Sequence, residues 1–344
     1  MPWIAEQIEP DQSLYPHLLP VEHDGTDITK YDSFTQSDPA LRADTAFTSL
    51  LNGPTTSRPV TPLFGTELSG LQLSQLDSKA LDELGLLVAE RGFVVLRNQD
   101  WKDTAPERQI EIASRFGPLH EHHKAPRIRG YKQFAVIYQS AADVRRRNYW
   151  GDRASLISWH TDQSHEKHPP GITFFWVLEN QDWVGGDTIL SDTVQAFAKL
   201  SQPMKEFLYG LDAWHTDNLK TVTSRKEVDT LHPVVTRHPV TDAESLFVNE
   251  TFTRQIQGLK TEESEYLLKF LFDHIARGGD FQARIRWEEG TVILWDQRRA
   301  QHTATLDTLP GKRRHMIRLT PLAGRPIPAR EREKASPGRE EGSE

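Results

Sequence analysis

The sequence predicts a mainly β protein with α additions, built as a β-sandwich whose strand pairs are joined by a helical excursion. Three observations carry this. Ile172-Thr173-Phe174-Phe175-Trp176-Val177-Leu178 is rich in the β-branched and aromatic residues that strands favour. Strand-like apolar runs return at residues 291–295 and 315–319. Between them, at about 194–209, Phe197, Leu200, Met204, Phe207 and Leu208 recur at helical spacing, and a second helix is expected at about 261–276. Strands, then helices, then strands fit two packed sheets with helices added outside.

The elements follow in order. Residues 1–58 mix Pro, Asp, Thr and Ser with scattered aromatics and read as an irregular arm wrapping a core. The domain proper is expected over 59–322, opening with short strands and glycine turns at 59–76. Asp77 or Ser78 can cap a helix whose apolar face is Leu81, Leu84, Leu87 and Val88, ended by Gly92. Phe93-Val94-Val95-Leu96 is a continuous apolar run, as in a strand buried on both faces. A second helix starts near Pro106 and stops at Gly117, with Ile110, Ala113 and Phe116 inward. Gly185-Gly186-Asp187-Thr188-Ile189-Leu190 reads as a turn entering a strand. From Ala323 the chain is Pro-, Arg- and Glu-rich, so 323–344 is expected to be a flexible tail.

Bulk properties exclude several classes. The chain has 344 residues, within reach of one large all-β domain. A formal charge of −8 argues against nucleic-acid binding, which favours a basic stripe. The absence of cysteine excludes disulfides and thiolate metal sites. Met1-Pro2-Trp3-Ile4-Ala5-Glu6 has neither the basic nor the apolar region of a signal peptide, and no apolar run approaches the roughly 18 residues of a membrane span. A cytoplasmic location is the expectation, with no membrane partner. Oligomeric state is not legible, and a homo-oligomer is compatible with everything above.

The chemistry centres on Ser158-Trp159-His160-Thr161-Asp162. On an extended strand, residues i and i+2 face the same way, so the His160 imidazole and the Asp162 carboxylate can converge. That pair is two thirds of a 2-His-1-carboxylate facial triad, which holds Fe(II) and leaves positions open for substrates. The third ligand must come from a distant segment, and His302 is the candidate. With 14 histidines in the chain, His-x-Asp arises readily by chance, so the accompanying features decide its weight. Arg314 and Arg318 share strand parity. If they face inward, two buried guanidinium groups need anionic partners, which a dicarboxylate cosubstrate and an acidic substrate would supply; the alternative is a solvated basic strand. Thr188 follows a glycine turn and can donate to an anion, or simply belong to a hairpin. His120-Glu121-His122-His123 reads as a polar loop, in which His122 can still line a pocket. The same His and carboxylate set suits zinc in a hydrolase, but that reading leaves Thr188 and the arginine pair without a task.

Taken together the motifs become recognisable. Trp159-His160-Thr161-Asp162, Pro169-Pro170-Gly171, Gly185-Gly186-Asp187-Thr188, Phe247-Val248-Asn249-Glu250, Trp295-Asp296-Gln297-Arg298 with His302, and Arg314 with Arg318 occur in this order. From about Pro62 to about Pro321 the chain resembles the taurine dioxygenase (TauD) family of Fe(II)/2-oxoglutarate-dependent dioxygenases, including the fungal sulfonate dioxygenases. The resemblance implies a double-stranded β-helix, or jelly roll, with flanking helices. It implies His160, Asp162 and His302 as iron ligands, and Thr188 and Arg314 as the grip on the far carboxylate of 2-oxoglutarate. It places Arg318 by an anionic substrate near the iron, His122 on a sulfonate, and Phe252 in the substrate pocket. The cofactors implied are Fe(II), 2-oxoglutarate and O2, with ascorbate as reductant in assays.

The spacing from His302 to the arginines is one residue longer than in the taurine enzyme, and parity selects Arg314 over Arg313. The taurine enzyme has a Tyr where this chain has Ala125, and an Asn near the position of Leu156. The expected activity is oxidation of a C–H bond of a small anionic, sulfonate-like substrate, with release of succinate and CO2. The rival within the fold is a biosynthetic oxygenase of an amino acid or other carboxylate.

Overall fold

The computed structural model describes residues 13–21, 34, 37–122, 125–140, 158–217, 229–308 and 312–330. Among them the largest sheet has seven strands, in the order Thr56–Pro59, Thr66–Ser69, Phe93–Leu96, Val292–Asp296, Ile172–Asn180, Arg314–Leu319 and Ala135–Gln139. Its pairings are antiparallel except that of Thr66–Ser69 with Phe93–Leu96. A three-stranded sheet is formed by Gln282–Ile285, Thr188–Asp192 and Ala300–Ala304. The protein is therefore mainly β with added helices.

Strand periodicity of two explains how the large sheet is buried twice. Val94, Leu96, Phe174, Trp176, Val292, Leu294, Ile317 and Leu319 pack into one apolar cluster, which contains Leu84 and Val88 of the first helix and Ile112 and Phe116 from the second helical region. Phe93, Val95, Val177, Ile293, Trp295 and Met316 enter a different cluster, with Leu190, Ile285 and Ala300 of the smaller sheet. Each fully buried large side chain of this kind is worth about 1.5–3 kcal/mol. Arg314 and Arg318 share parity with Met316, and so point into the layer between the two sheets. A bulge beside His315 and Met316 is absorbed by the neighbouring strand, where Val177 and Glu179 face successive residues of the arginine strand.

The first helix, Ser78–Arg91, is capped by Asp77, whose carboxylate accepts the Ala80 N–H at 2.8 Å. It ends at Gly92 with φ 80°, where a Cβ would lie 2.3 Å from Phe64, so only glycine permits that close approach.

Four expectations need correction. The helix expected at about 194–209 is two, Thr193–Ala198 and Gln202–Leu208. Ser201 precedes the second, Pro203 fits only a first helical turn, and Phe207 is half exposed as a result. The second major helix, Pro106–Ser114, buries Gln109, Ile112 and Ala113, while Ile110 is only partly covered. The arm contributes the strand Thr56–Pro59, so the sheet begins inside it. The tail remains attached through Ile327–Pro328, which pairs with Val235–Arg237, and Arg330 lies 3.6 Å from the Tyr209 ring centroid. The chain thus holds to the fold for eight residues beyond Leu322, because edge pairing and a cation–π contact offset its poor apolar content. Residues 331–344 lie outside the described residues. No helix among those described is long and apolar enough to cross a membrane.

Candidate active site

His160 and His302 are brought together by the backbone. The His160 N–H donates to the His302 carbonyl at 3.1 Å, and the His302 N–H to the His160 carbonyl at 2.9 Å. Residues directly opposite in an antiparallel pair project to the same face, and the ring centroids stand 4.2 Å apart. Asp162 reaches them by a different route from the one the sequence suggests. The chain leaves the extended form after His160 and turns at Asp162, with Gln163 at φ 48°. The turn curls the carboxylate back to 3.6 Å from His160 Nε2 and 3.9 Å from His302 Nε2. One ligand atom from each of the three lies within 4.8 Å of the others.

The protonation states suit a divalent cation. His160 Nδ1 lies 2.9 Å from the Ser158 carbonyl. A carbonyl only accepts, so Nδ1 carries a proton, and Nε2 is the ring nitrogen turned toward Asp162. Burial, reinforced by His160, lowers the His302 pKa to about 3 against the pull of Asp162, which keeps the ring neutral. Burial raises the Asp162 pKa, but Arg318, His302 and His160 together hold it well below the usual carboxylate range. Two imidazoles, that of His302 held neutral by burial, and one carboxylate, with no thiolate in the chain, are a donor set that suits Fe(II).

The supporting shell is equally specific. Arg318 Nη1 donates to Asp162 Oδ1 at 2.6 Å, and Gln297 Nε2 donates to Asp162 Oδ2 at 2.6 Å. Gln297 stands in the Trp295-Asp296-Gln297-Arg298 motif, but 135 positions separate it from Asp162, and local spacing gives no signal of the contact. Asp296 is buried between Arg298 and His238, and Arg298 reaches on to Asp38 of the arm. Burial pushes the Asp296 carboxyl up, but Arg298 and His238 hold it far below its ordinary value.

Arg314 is buried and donates to the Gly186 carbonyl. Gly186 has φ 66°, and a Cβ there would come within 2.8 Å of the Arg314 guanidinium carbon. The glycine turn and Arg314 are thus built against each other, two residues from buried Thr188. Asp307 fixes the turn by accepting the Gly186 N–H at 2.8 Å. Arg313 projects oppositely, 3.5 Å from Glu179.

Of the remaining candidates, His122 is half-buried. Its Nδ1 accepts the Ala125 N–H at 3.2 Å, and its Nε2 lies 3.0 Å from the Gln163 amide nitrogen. Phe252 is buried with its ring 4.9 Å from His165. Its N–H donates to Asn249, which in turn donates to Ser164, two residues after Asp162. Leu156 lies outside the described residues. A cleft of about 220 Å³ lined by Asp38, Phe247, Arg298 and Arg325 includes none of the three candidate ligands and is a separate feature.

Comparison with known proteins places this arrangement. The profile of the family described as taurine catabolism dioxygenase TauD, TfdA matches residues 56–320. The chain is 46% identical to the alpha-ketoglutarate-dependent dioxygenase cnsM of Penicillium expansum, over 95% of this chain and 94% of that protein. It is 37% identical to the alpha-ketoglutarate-dependent sulfonate dioxygenase of Saccharomyces cerevisiae, over 92% and 80%. A taurine dioxygenase from Burkholderia xenovorans, solved by crystallography, superposes with a TM-score of 0.67 at 28% identity, covering 80% of this chain and 92% of that one. The chain belongs to the TauD, TfdA family and is an Fe(II)- and 2-oxoglutarate-dependent dioxygenase.

Proposed function

We propose that His160, Asp162 and His302 hold the ferrous ion, that Thr188 and Arg314 hold the far carboxylate of 2-oxoglutarate, and that Arg318 and His122 receive the anionic head of a small sulfonate- or sulfate-ester-like substrate. The convergence of the three ligand atoms within 4.8 Å carries the metal assignment. The substrate class is supported by the sulfonate dioxygenase relative and by a sulfate ester dioxygenase of Pseudomonas putida at 27% identity. Two facing sheets with helices outside the larger one fit a double-stranded β-helix. Within it, the candidate ligands are reached from the arginine strand through Arg318 and from the Ala300–Ala304 strand, which bears His302.

With 2-oxoglutarate and O2, the bound iron supplies the oxidising power: the net reaction converts C–H, 2-oxoglutarate and O2 into C–OH, succinate and CO2. The protein's residues supply position and charge. Arg314, out of water, pairs with a carboxylate more strongly than an exposed arginine would. Gly186 leaves space for its guanidinium. Arg318 lies between Asp162 and the substrate side, so an anion there shares a guanidinium that also steadies an iron ligand. Phe252 would line the pocket as an apolar wall, and the small side chain of Ala125 suits a substrate larger or less polar than taurine. Hydroxylation next to sulfur would collapse to an aldehyde and sulfite.

A second reading, an oxygenase of an amino acid or other carboxylate, is favoured by the small and apolar residues at Ala125 and Leu156 and by Arg318, which serves a carboxylate equally well. Taurine, other sulfonates, alkyl sulfates and amino acids, each supplied with Fe(II), ascorbate and 2-oxoglutarate, separate the two. Coupled succinate release with sulfonates or alkyl sulfates is expected, and coupling confined to amino acids overturns the first reading. The protein is proposed to act in the cytoplasm, as a monomer or homo-oligomer.

A further inference from the structure

We propose that Gln297 is a positioning residue for Asp162 and thereby sets the protein's affinity for divalent metal. The proposal rests on the reading of His160, Asp162 and His302 as metal ligands. Gln297 is 1% exposed and grips Asp162 twice. Its Oε1 accepts the Asp162 backbone N–H at 3.1 Å, and its Nε2 donates to Asp162 Oδ2 at 2.6 Å. The second amide hydrogen goes to Thr173 Oγ1 at 2.9 Å. The amide orientation is fixed by chemistry, because a backbone N–H only donates and an ionised carboxylate only accepts. One planar group therefore clamps the main chain and the side chain of the same residue, fixing the carboxylate plane.

The clamp is anchored. The Gln297 N–H donates to the Gly171 carbonyl at 2.8 Å, and the adjacent Asp296 is locked between Arg298 and His238. Gln297 also sits at the start of the turn that leads into Ala300–Ala304, the strand bearing His302. One turn, connecting a strand of the larger sheet to a strand of the smaller, thus presents one ligand and orients another. A hydroxyl lacks the separated donor and acceptor needed for both grips. A cation at this place would neutralise the carboxylate and weaken it as a ligand. Arg318 on Oδ1 is partly exposed. The neutral amide is the partner that can stay in place while the other carboxylate oxygen changes partners. Outer-shell hydrogen bonds of this kind are worth roughly 10–100-fold in metal affinity.

The test is Mn(II) binding to the metal-free full chain, read from the free-ion electron paramagnetic resonance signal, beside the thermal midpoint of the metal-free protein. Gln297→Leu is expected to weaken Mn(II) binding by about tenfold to a hundredfold. Gln99→Leu removes another buried, hydrogen-bonded glutamine, one that touches no candidate ligand. It is expected to lower the midpoint and leave Mn(II) affinity unchanged. A folded Gln297→Leu protein with wild-type affinity overturns the proposal, as does an equal loss of affinity in Gln99→Leu. Should Gln297→Leu fail to fold, Thr173→Val decides. It deletes only the anchoring acceptor, so a severalfold weakening supports the clamp and unchanged affinity overturns it. Wild-type protein that does not bind Mn(II) refutes the ligand assignment itself, and the clamp with it.

Discussion

Replacing Arg314 by Met removes a guanidinium that is 7% exposed and faces the layer between the sheets. One of its nitrogens donates to the Gly186 carbonyl, which holds the guanidinium against the glycine turn, two residues from buried Thr188. Hydrogen bonds involving a charged group are worth about 1.5–3 kcal/mol each. Two such bonds, less the cost of desolvating the carboxylate, come to about 3 kcal/mol, or on the order of a hundredfold in affinity. Arg313→Met serves as the matched control, because that side chain projects to the opposite face, where it lies 3.5 Å from Glu179. The assay is calorimetric titration of 2-oxoglutarate into the Mn(II)-loaded protein. Arg314→Met should bind roughly a hundredfold more weakly, with Arg313→Met within about twofold of wild type. Equal losses in both variants, or an Arg314→Met protein with wild-type affinity, would refute the parity argument and the cosubstrate assignment.

Other consequences are open to direct measurement. His160→Ala, Asp162→Ala and His302→Ala should each abolish O2-dependent succinate release while the folded protein persists, and wild-type turnover that survives iron chelation would contradict the assignment. Gly186→Ala places a Cβ 2.8 Å from the Arg314 guanidinium carbon at φ 66°; it should raise the 2-oxoglutarate concentration needed for half-maximal turnover and leave Mn(II) affinity near wild type. Burial lowers His232 and His315 to about 4, against the pull of the Glu166 and Leu18 carbonyls respectively. A histidine with a depressed folded pKa contributes stability that is present above its unfolded value near 6.5 and lost as pH falls below it. Each should cost about 1.4 kcal/mol between pH 7.5 and pH 5.5, read as a lower urea midpoint. No loss over that interval would show that these rings are protonated in the folded state.

How much of this was legible in the sequence depends on the range of the interaction that fixes each feature. The helix Ser78–Arg91, its cap at Asp77 and its stop at Gly92 follow from side chains within one turn of the backbone they satisfy. The inward aim of Arg314 and Arg318 follows from the period of two along one strand. The proposed ligand set was legible from residue types and motif order, since the proposed ferrous site calls for two imidazoles and a carboxylate. Other features depend on partners that local pattern does not encode. The turn that swings Asp162 toward His160 and His302 is held by Gln297, 135 residues away. Arg318 is paired to Asp162 across 156 positions. The C-terminal segment holds to the fold because Val235–Arg237 offers it an edge. The sequence by itself pointed to the residue types proposed to meet a metal and a keto-diacid, and to the strand face that Arg314 and Arg318 share. Tertiary structure alone decided which polar neighbour each buried charge received. Inside a protein, a charge is satisfied by the nearest group in space, and nearness in space is set by sheet pairing rather than by spacing along the chain.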